Sequence, residues 1–138
     1  MTGHASSETR TILMIDDHQD ADTLLHYVLE HGGFDVVTAK SGEELTRVLR
    51  RGEPSTIVLM DLSRPDENGL DLVTEIRATP RWQNTPIAIV TSNKTEEHMM
   101  WASQIRAVDY LVKPLSPLAL LAKLRRLLGL PALNRTPG

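Results

Sequence analysis

Three runs in this sequence are apolar at nearly every position, and none is long enough to make a stable helix: Thr11–Ile15 (TILMI), Thr56–Met60 (TIVLM) and Pro86–Val90 (PIAIV). Successive side chains of a strand point to opposite faces, so a run that is apolar at both odd and even positions must be covered on both sides. Phe34–Ala39 (FDVVTA) and Val108–Val112 (VDYLV) read as further strands of the same sheet. Between the runs lie apolar residues at helical spacing: Leu24, Leu25, Val28 and Leu29, then Leu45, Val48 and Leu49, then Leu70, Val73 and Ile76. Strand and helix alternate five times. That order predicts an α/β fold, a doubly wound five-stranded parallel sheet with five helices on its two faces.

Local signals set the expected limits of the helices. The first is expected over Asp20–Glu30, stopped by His31-Gly32-Gly33. The second starts at Ser41, whose N-cap role is strengthened by Glu44 three residues on, and runs to about Arg51. The third follows a loop over Ser63–Gly69; the fourth is capped by Asn93 or Thr95 and runs through Ile105; the fifth covers Ser116–Leu128, ended by Gly129 and Pro131. A length of 138 residues suits one domain, expected over 11–130, with tails at 1–10 and 131–138. There is no cysteine, which excludes a thiol nucleophile, Cys-ligated zinc and disulfides. A net charge of −3 gives no basic stripe for direct nucleic-acid binding. The opening MTGHASSETR has no apolar leader, and Leu115–Leu130 is interrupted by Lys123, Arg125 and Arg126. No membrane span is expected, and the expected location is the cytoplasm.

In a doubly wound sheet the functional crevice lies at the carboxyl ends of the strands. Asp16 and Asp17 end the first strand, Asp61 the third, Thr91 and Ser92 the fourth, and Lys113 the fifth. Taken singly, each has an ordinary explanation as a helix cap, a turn residue or a solvated lysine. Together they bring three carboxylates, a hydroxyl and an ammonium to one edge. Carboxylates gathered this closely repel one another and call for a cation, and oxygen-only ligands favour Mg²⁺. Phosphoryl transfer needs such a set: a carboxylate nucleophile (Asp61), metal-holding carboxylates (Asp17 with Asp16), and donors to the phosphoryl oxygens (Lys113 and Thr91).

The elements ILMIDD (12–17), IVLMDLSRPDENG (57–69), PIAIVTS (86–92) and DYLVKP (109–114) resemble, in order and separation, the receiver domain of two-component response regulators. The resemblance runs from Thr11 to about Leu128 and implies the flavodoxin-like receiver fold. It implies that Asp61 is the phosphoacceptor, with Mg²⁺ held by Asp16, Asp17, Asp61 and the backbone carbonyl of Ser63. Thr91 matches the switch hydroxyl, Lys113 the phosphate-binding lysine and Tyr110 the switch aromatic. Pro65 and Gly69 match the loop after the acceptor, and Pro114 the proline that follows the lysine through a cis peptide bond. The implied function is to take a phosphoryl group from a histidine kinase or phosphotransfer protein in a phosphorelay. The face of the fourth helix, fifth strand and fifth helix then changes, for a downstream protein target or a homodimer. A receiver is consumed as substrate in each cycle, so a turnover enzyme is not expected.

Two residues depart from the family pattern. Arg106 stands where glycine is usual, which puts the turn into the fifth strand in question, and His18 follows the acidic pair. His98, Met99, Met100 and Trp101 are too bulky a run to face the core together. Other readings remain: a receiver-fold interaction module that is not phosphorylated, an Asp-nucleophile phosphatase, and a flavodoxin-like cofactor binder. The first usually lacks an acidic residue or the lysine, and both are present here. The second needs an acid-base Asp where Ser63 stands. The third needs a phosphate cradle where the chain has the acidic DDHQD (16–20). The sequence leaves open a stand-alone receiver or part of a larger regulator or hybrid kinase.

Overall fold

A computed structural model describes residues 10–16, 23–51, 53–61, 67–91, 96–112 and 116–130. The elements are β1 (Arg10–Asp16), α1 (Thr23–His31), β2 (Phe34–Ala39), α2 (Gly42–Arg50), β3 (Ile57–Asp61), α3 (Glu67–Ala78), β4 (Ile87–Thr91), α4 (Glu96–Gln104), β5 (Asp109–Val112) and α5 (Pro117–Leu127). All strand pairs are parallel, in the order β2-β1-β3-β4-β5. This is the doubly wound sheet that the alternation predicts. Strands β1, β3 and β4 each extend one residue beyond the expected apolar run, so Asp16, Asp61 and Thr91 are themselves the last paired residues. The expected tails at 1–10 and 131–138 lie outside the described residues except for Arg10, which opens β1.

Double-sided burial sorts the core into two layers. Leu13, Ile15, Val58, Met60, Ile87 and Ile89 point to the layer under α2, α3 and α4. Ile12, Met14, Ile57, Leu59, Ala88 and Val90 point to the layer under α1 and α5. Each fully buried side chain of this kind contributes about 1.5–3 kcal/mol relative to exposure, which fixes the register: a slip of one residue would exchange the layers.

The helix ends follow the sequence signals with small shifts. Ser41 Oγ accepts from the Glu44 backbone N–H (3.1 Å), while the Glu44 carboxylate accepts from the N–H of Lys40 rather than of Ser41 (2.7 Å). Ser116 caps α5 by accepting from the Ala119 N–H (3.0 Å), with Pro117 in the first turn where its missing donor is harmless. Gly129, at φ +70°, closes α5: its N–H reaches the Arg126 carbonyl and the Leu130 N–H reaches that of Arg125 (2.7 Å). Gly32 is required for space, since a Cβ there would lie 2.6 Å from a methyl of the fully buried Leu121 on α5. One expectation is corrected. Gly69 lies inside the first turns of α3, which begins at Glu67, and not in the preceding loop.

Arg106 resolves the question raised by its missing glycine. It keeps the glycine conformation, with φ at +57°. Its N–H bonds to the Ser103 carbonyl (3.1 Å) and the Ala107 N–H to that of Ala102 (3.0 Å), the bond pattern of a glycine-closed helix end. The turn into β5 is therefore intact, and the residue carries the strain of a left-handed conformation, about 1–2 kcal/mol. Arg106→Gly should accordingly stabilise the fold by about 1 kcal/mol, measured as a higher denaturation midpoint with an unchanged m-value.

Candidate functional site

The site grows from the register of the three central strands. Asp16 on β1 and Asp61 on β3 are direct partners in the parallel ladder, on strands about 4.8 Å apart. Both belong to the side-chain parity of Ile12, Met14, Ile57 and Leu59, so both carboxylates leave the sheet on the α1–α5 side. They are buried, at 4% and 7% exposure. β1 has β2 on one side and β3 on the other, so the chain winds outward in opposite directions from this point. This is the switch point at which a doubly wound sheet opens a crevice.

β4 adds Thr91, 4% exposed and one residue beyond the level of Asp61, which pairs with Val90. Thr91 shares its parity with Ile87 and Ile89, and so faces the α2–α4 layer. Tyr110 on β5 pairs with Ile89 and packs half-buried against that same layer. The hydroxyl and the aromatic ring therefore lie on one face of neighbouring strands, with Tyr110 two levels below Thr91. Burial raises the Tyr110 pKa above the ordinary tyrosine value.

Of the expected site residues, Asp16, Asp61 and Thr91 end their strands at one edge of the sheet, and Tyr110 lies within β5. Asp17, Ser63, Lys113 and Pro114 lie outside the described residues, as do Pro65, His18 and Ser92. Among the described residues no group of three His, Cys, Asp or Glu side chains gathers as a metal site. The described donors are the Asp16 and Asp61 carboxylates, a hard all-oxygen pair of the kind that Mg²⁺ takes along with several waters. Their chemistry fits that ion.

On α4, Trp101 is buried at 7% exposure, whereas Met99 and Met100 are exposed at 50% and 67%. Leu118 on α5 is also exposed. The sequence reading did not single out Trp82 or Arg77. Trp82 is buried under the turn that joins α3 to β4, and Arg77 Nη1 donates to the carbonyls of Gln83 (3.1 Å) and Thr85 (2.7 Å) in that turn. A tryptophan between two turn-forming segments is the signal that marked this anchor. Among the described residues no helix is long and apolar enough to cross a membrane.

Residues 12–125 match the model of the response regulator receiver domain. The chain is 35% identical over 123 residues to the transcriptional regulatory protein GltR of Pseudomonas aeruginosa, covering 89% of this chain and 50% of that protein. It is 30% identical over 119 residues to a chemotaxis protein CheY homolog of Campylobacter jejuni, covering 86% of this chain and 92% of the homolog. It thus spans about half the length of the transcriptional regulators it matches, and nearly all of the CheY homolog. Among solved structures it resembles the receiver domain of the sensor histidine kinase PA1611 of Pseudomonas aeruginosa, with a TM-score of 0.73 and 27% identity. That likeness covers 88% of this chain and 98% of the other, whose active-site cleft holds a coordinated magnesium ion.

Burial holds the folded Tyr110 pKa above that of the unfolded chain. The unfolded phenol loses its proton near pH 10, before the folded one, so Tyr110 makes stability fall as the pH rises through that value. Ultraviolet difference titration should show a late phenolate component that disappears in Tyr110→Phe.

Proposed function

The chain belongs to the response regulator receiver domain family, and on that footing we propose that Asp61 is its phosphoryl acceptor, served by Mg²⁺ on Asp16, Asp17, Asp61 and the Ser63 carbonyl. That it is a receiver of two-component signalling, working through a phosphoacceptor aspartate, follows from the family. The observation that carries the residue assignment is the in-register pair of buried carboxylates, Asp16 and Asp61, at the switch point of the sheet.

In this reading an Asp61 carboxylate oxygen attacks the phosphorus of a phosphohistidine. The new O–P bond forms as the N–P bond breaks, and the electron pair and a proton go to the departing imidazole. Asp16, one strand away, remains an unreacted anion facing the acceptor. Bound Mg²⁺ would neutralise charge on the carboxylates and the non-bridging phosphoryl oxygens. Lys113 supplies a fixed positive charge to one oxygen, and the Thr91 hydroxyl donates to another. Drawing Thr91 toward Asp61 opens space on the α2–α4 side of the sheet, where Tyr110 packs. The change then reaches the α4-β5-α5 face, a local charge event biasing a two-state element.

The proposed partners are a histidine kinase or phosphotransfer protein upstream and a protein target, or a second copy, on the α4-β5-α5 face. Exposed Met99, Met100 and Leu118 support that face as an adaptable contact surface. The proposed receiver unit covers residues 11–130, acts in the cytoplasm, and is a stoichiometric phosphoacceptor rather than a turnover enzyme.

Intact mass measured after incubation with acetyl phosphate and Mg²⁺ tests the acceptor. A gain of one phosphoryl group is expected in wild type, with none in Asp61→Asn or in the presence of EDTA. No gain at short or long incubation would favour the unphosphorylated interaction module. Metal binding has a separate readout. Mg²⁺ should raise the unfolding midpoint of wild type, and Asp16→Asn should weaken Mg²⁺ binding at least about tenfold, equivalent to about 1.4 kcal/mol; calorimetric titration would measure it.

A further inference from the structure

Between α3 and the end of α4 lies a groove of about 500 Å³, floored by Leu70, Val73 and Ile105 and rimmed by Arg77, Gln104 and Arg106. Arg106 stands where the chain enters β5, at the sheet edge opposite Asp61, so this groove is separate from the phosphoryl site. Two features of it are unfavourable in the isolated chain. Arg106 holds a left-handed backbone conformation that glycine would adopt freely. Its guanidinium also acts on that of Arg77, which, after burial, is the second cause of a lowered Arg77 pKa. Among the described residues neither guanidinium has a carboxylate partner. A guanidinium is charged at neutral pH. The chain therefore places two like charges over an apolar floor, in a molecule whose net charge is −3.

We propose that this groove docks a short acidic segment of a partner protein, with a carboxylate between Arg77 and Arg106 and a neighbouring apolar side chain on the Leu70–Val73–Ile105 floor. The charge complementarity is specific. Arg77 Nη1 is held by the Gln83 and Thr85 carbonyls, so its remaining N–H groups and the fork of Arg106 would meet the carboxylate, and an anion between the two guanidinium groups removes their mutual repulsion. The half-buried Leu70 distinguishes a peptide from a free anion, because a neighbouring apolar side chain would cover it and inorganic phosphate would not; Val73 and Ile105 are already buried beneath it. The volume is in the range that takes a few side chains.

Amide NMR spectra of the whole chain, titrated with the capped dipeptide acetyl-Leu-Glu-amide, test this. Saturable shifts are expected at Thr74, Ala78, Gln104 and Ile105. They should weaken about tenfold in Arg106→Gly, which keeps the turn folded, and less in Arg106→Lys. They should also weaken with added salt, as a partly exposed ion pair does. No saturable shift up to about 10 mM dipeptide would overturn the proposal, as would equal binding of acetyl-Leu-Gln-amide. Inorganic phosphate giving the same shifts at lower concentration would assign the groove to a small anion. Shifts that depend on protein concentration alone would assign it to a second copy; either result overturns the peptide reading. Phosphorylation of Arg106→Gly by acetyl phosphate should match wild type, so failure here is distinguishable from failure at Asp61.

Discussion

Strands covered on both faces can place polar side chains only at their ends. In this chain β3 and β4 are buried along their length and β1 from Ile12 to Asp16, and the charged or hydroxyl groups of these buried stretches sit in the last paired positions. The energy that holds the register comes from the apolar residues below. The consequence appears at the edge: since Ile12 pairs with Ile57 and Met14 with Leu59, Asp16 must lie beside Asp61. Two buried like charges side by side would be expelled from a looser fold. Here the packing beneath them fixes their positions, and a cation is the natural means of making that arrangement tolerable.

That dependence explains why so much of the fold and site was legible in the sequence. A run such as TIVLM announces burial on both sides, and the residue that follows it must then lie at the crevice. Asp61 and Thr91 were placed by this rule, within one residue of where the strands end. That Thr91 and Tyr110 share a face comes instead from the register, in which Ile89 pairs with Tyr110. The capping residue Ser41 was an equally local signal.

What the sequence left open depended on contacts far apart in the chain. Trp101 sits in a run of four bulky residues, and nothing local decides which of them turns inward; the layer beneath α4 selects Trp101 and leaves Met99 and Met100 outside. The requirement for glycine at position 32 comes from Leu121, nearly ninety residues away. Arg106 shows the opposite case. Its local preference argued against the turn, and the bonds from Arg106 and Ala107 back to α4, together with the entry into β5, overrule it. Gly69 was misplaced because a glycine reads locally as loop, while the helix extends over it.

Trp82 and Trp101 are the only tryptophans of the chain, and both lie in the core layer under α2, α3 and α4. Their indole N–H groups are buried without a hydrogen-bond partner among the described residues, so both rings sit in an apolar medium. The layer under α1 and α5 contains no indole. The molecule is optically one-sided: its tryptophan emission reports on a single face of the sheet, the face toward which Thr91 and Tyr110 point. Events confined to the opposite face would pass unseen by the same light.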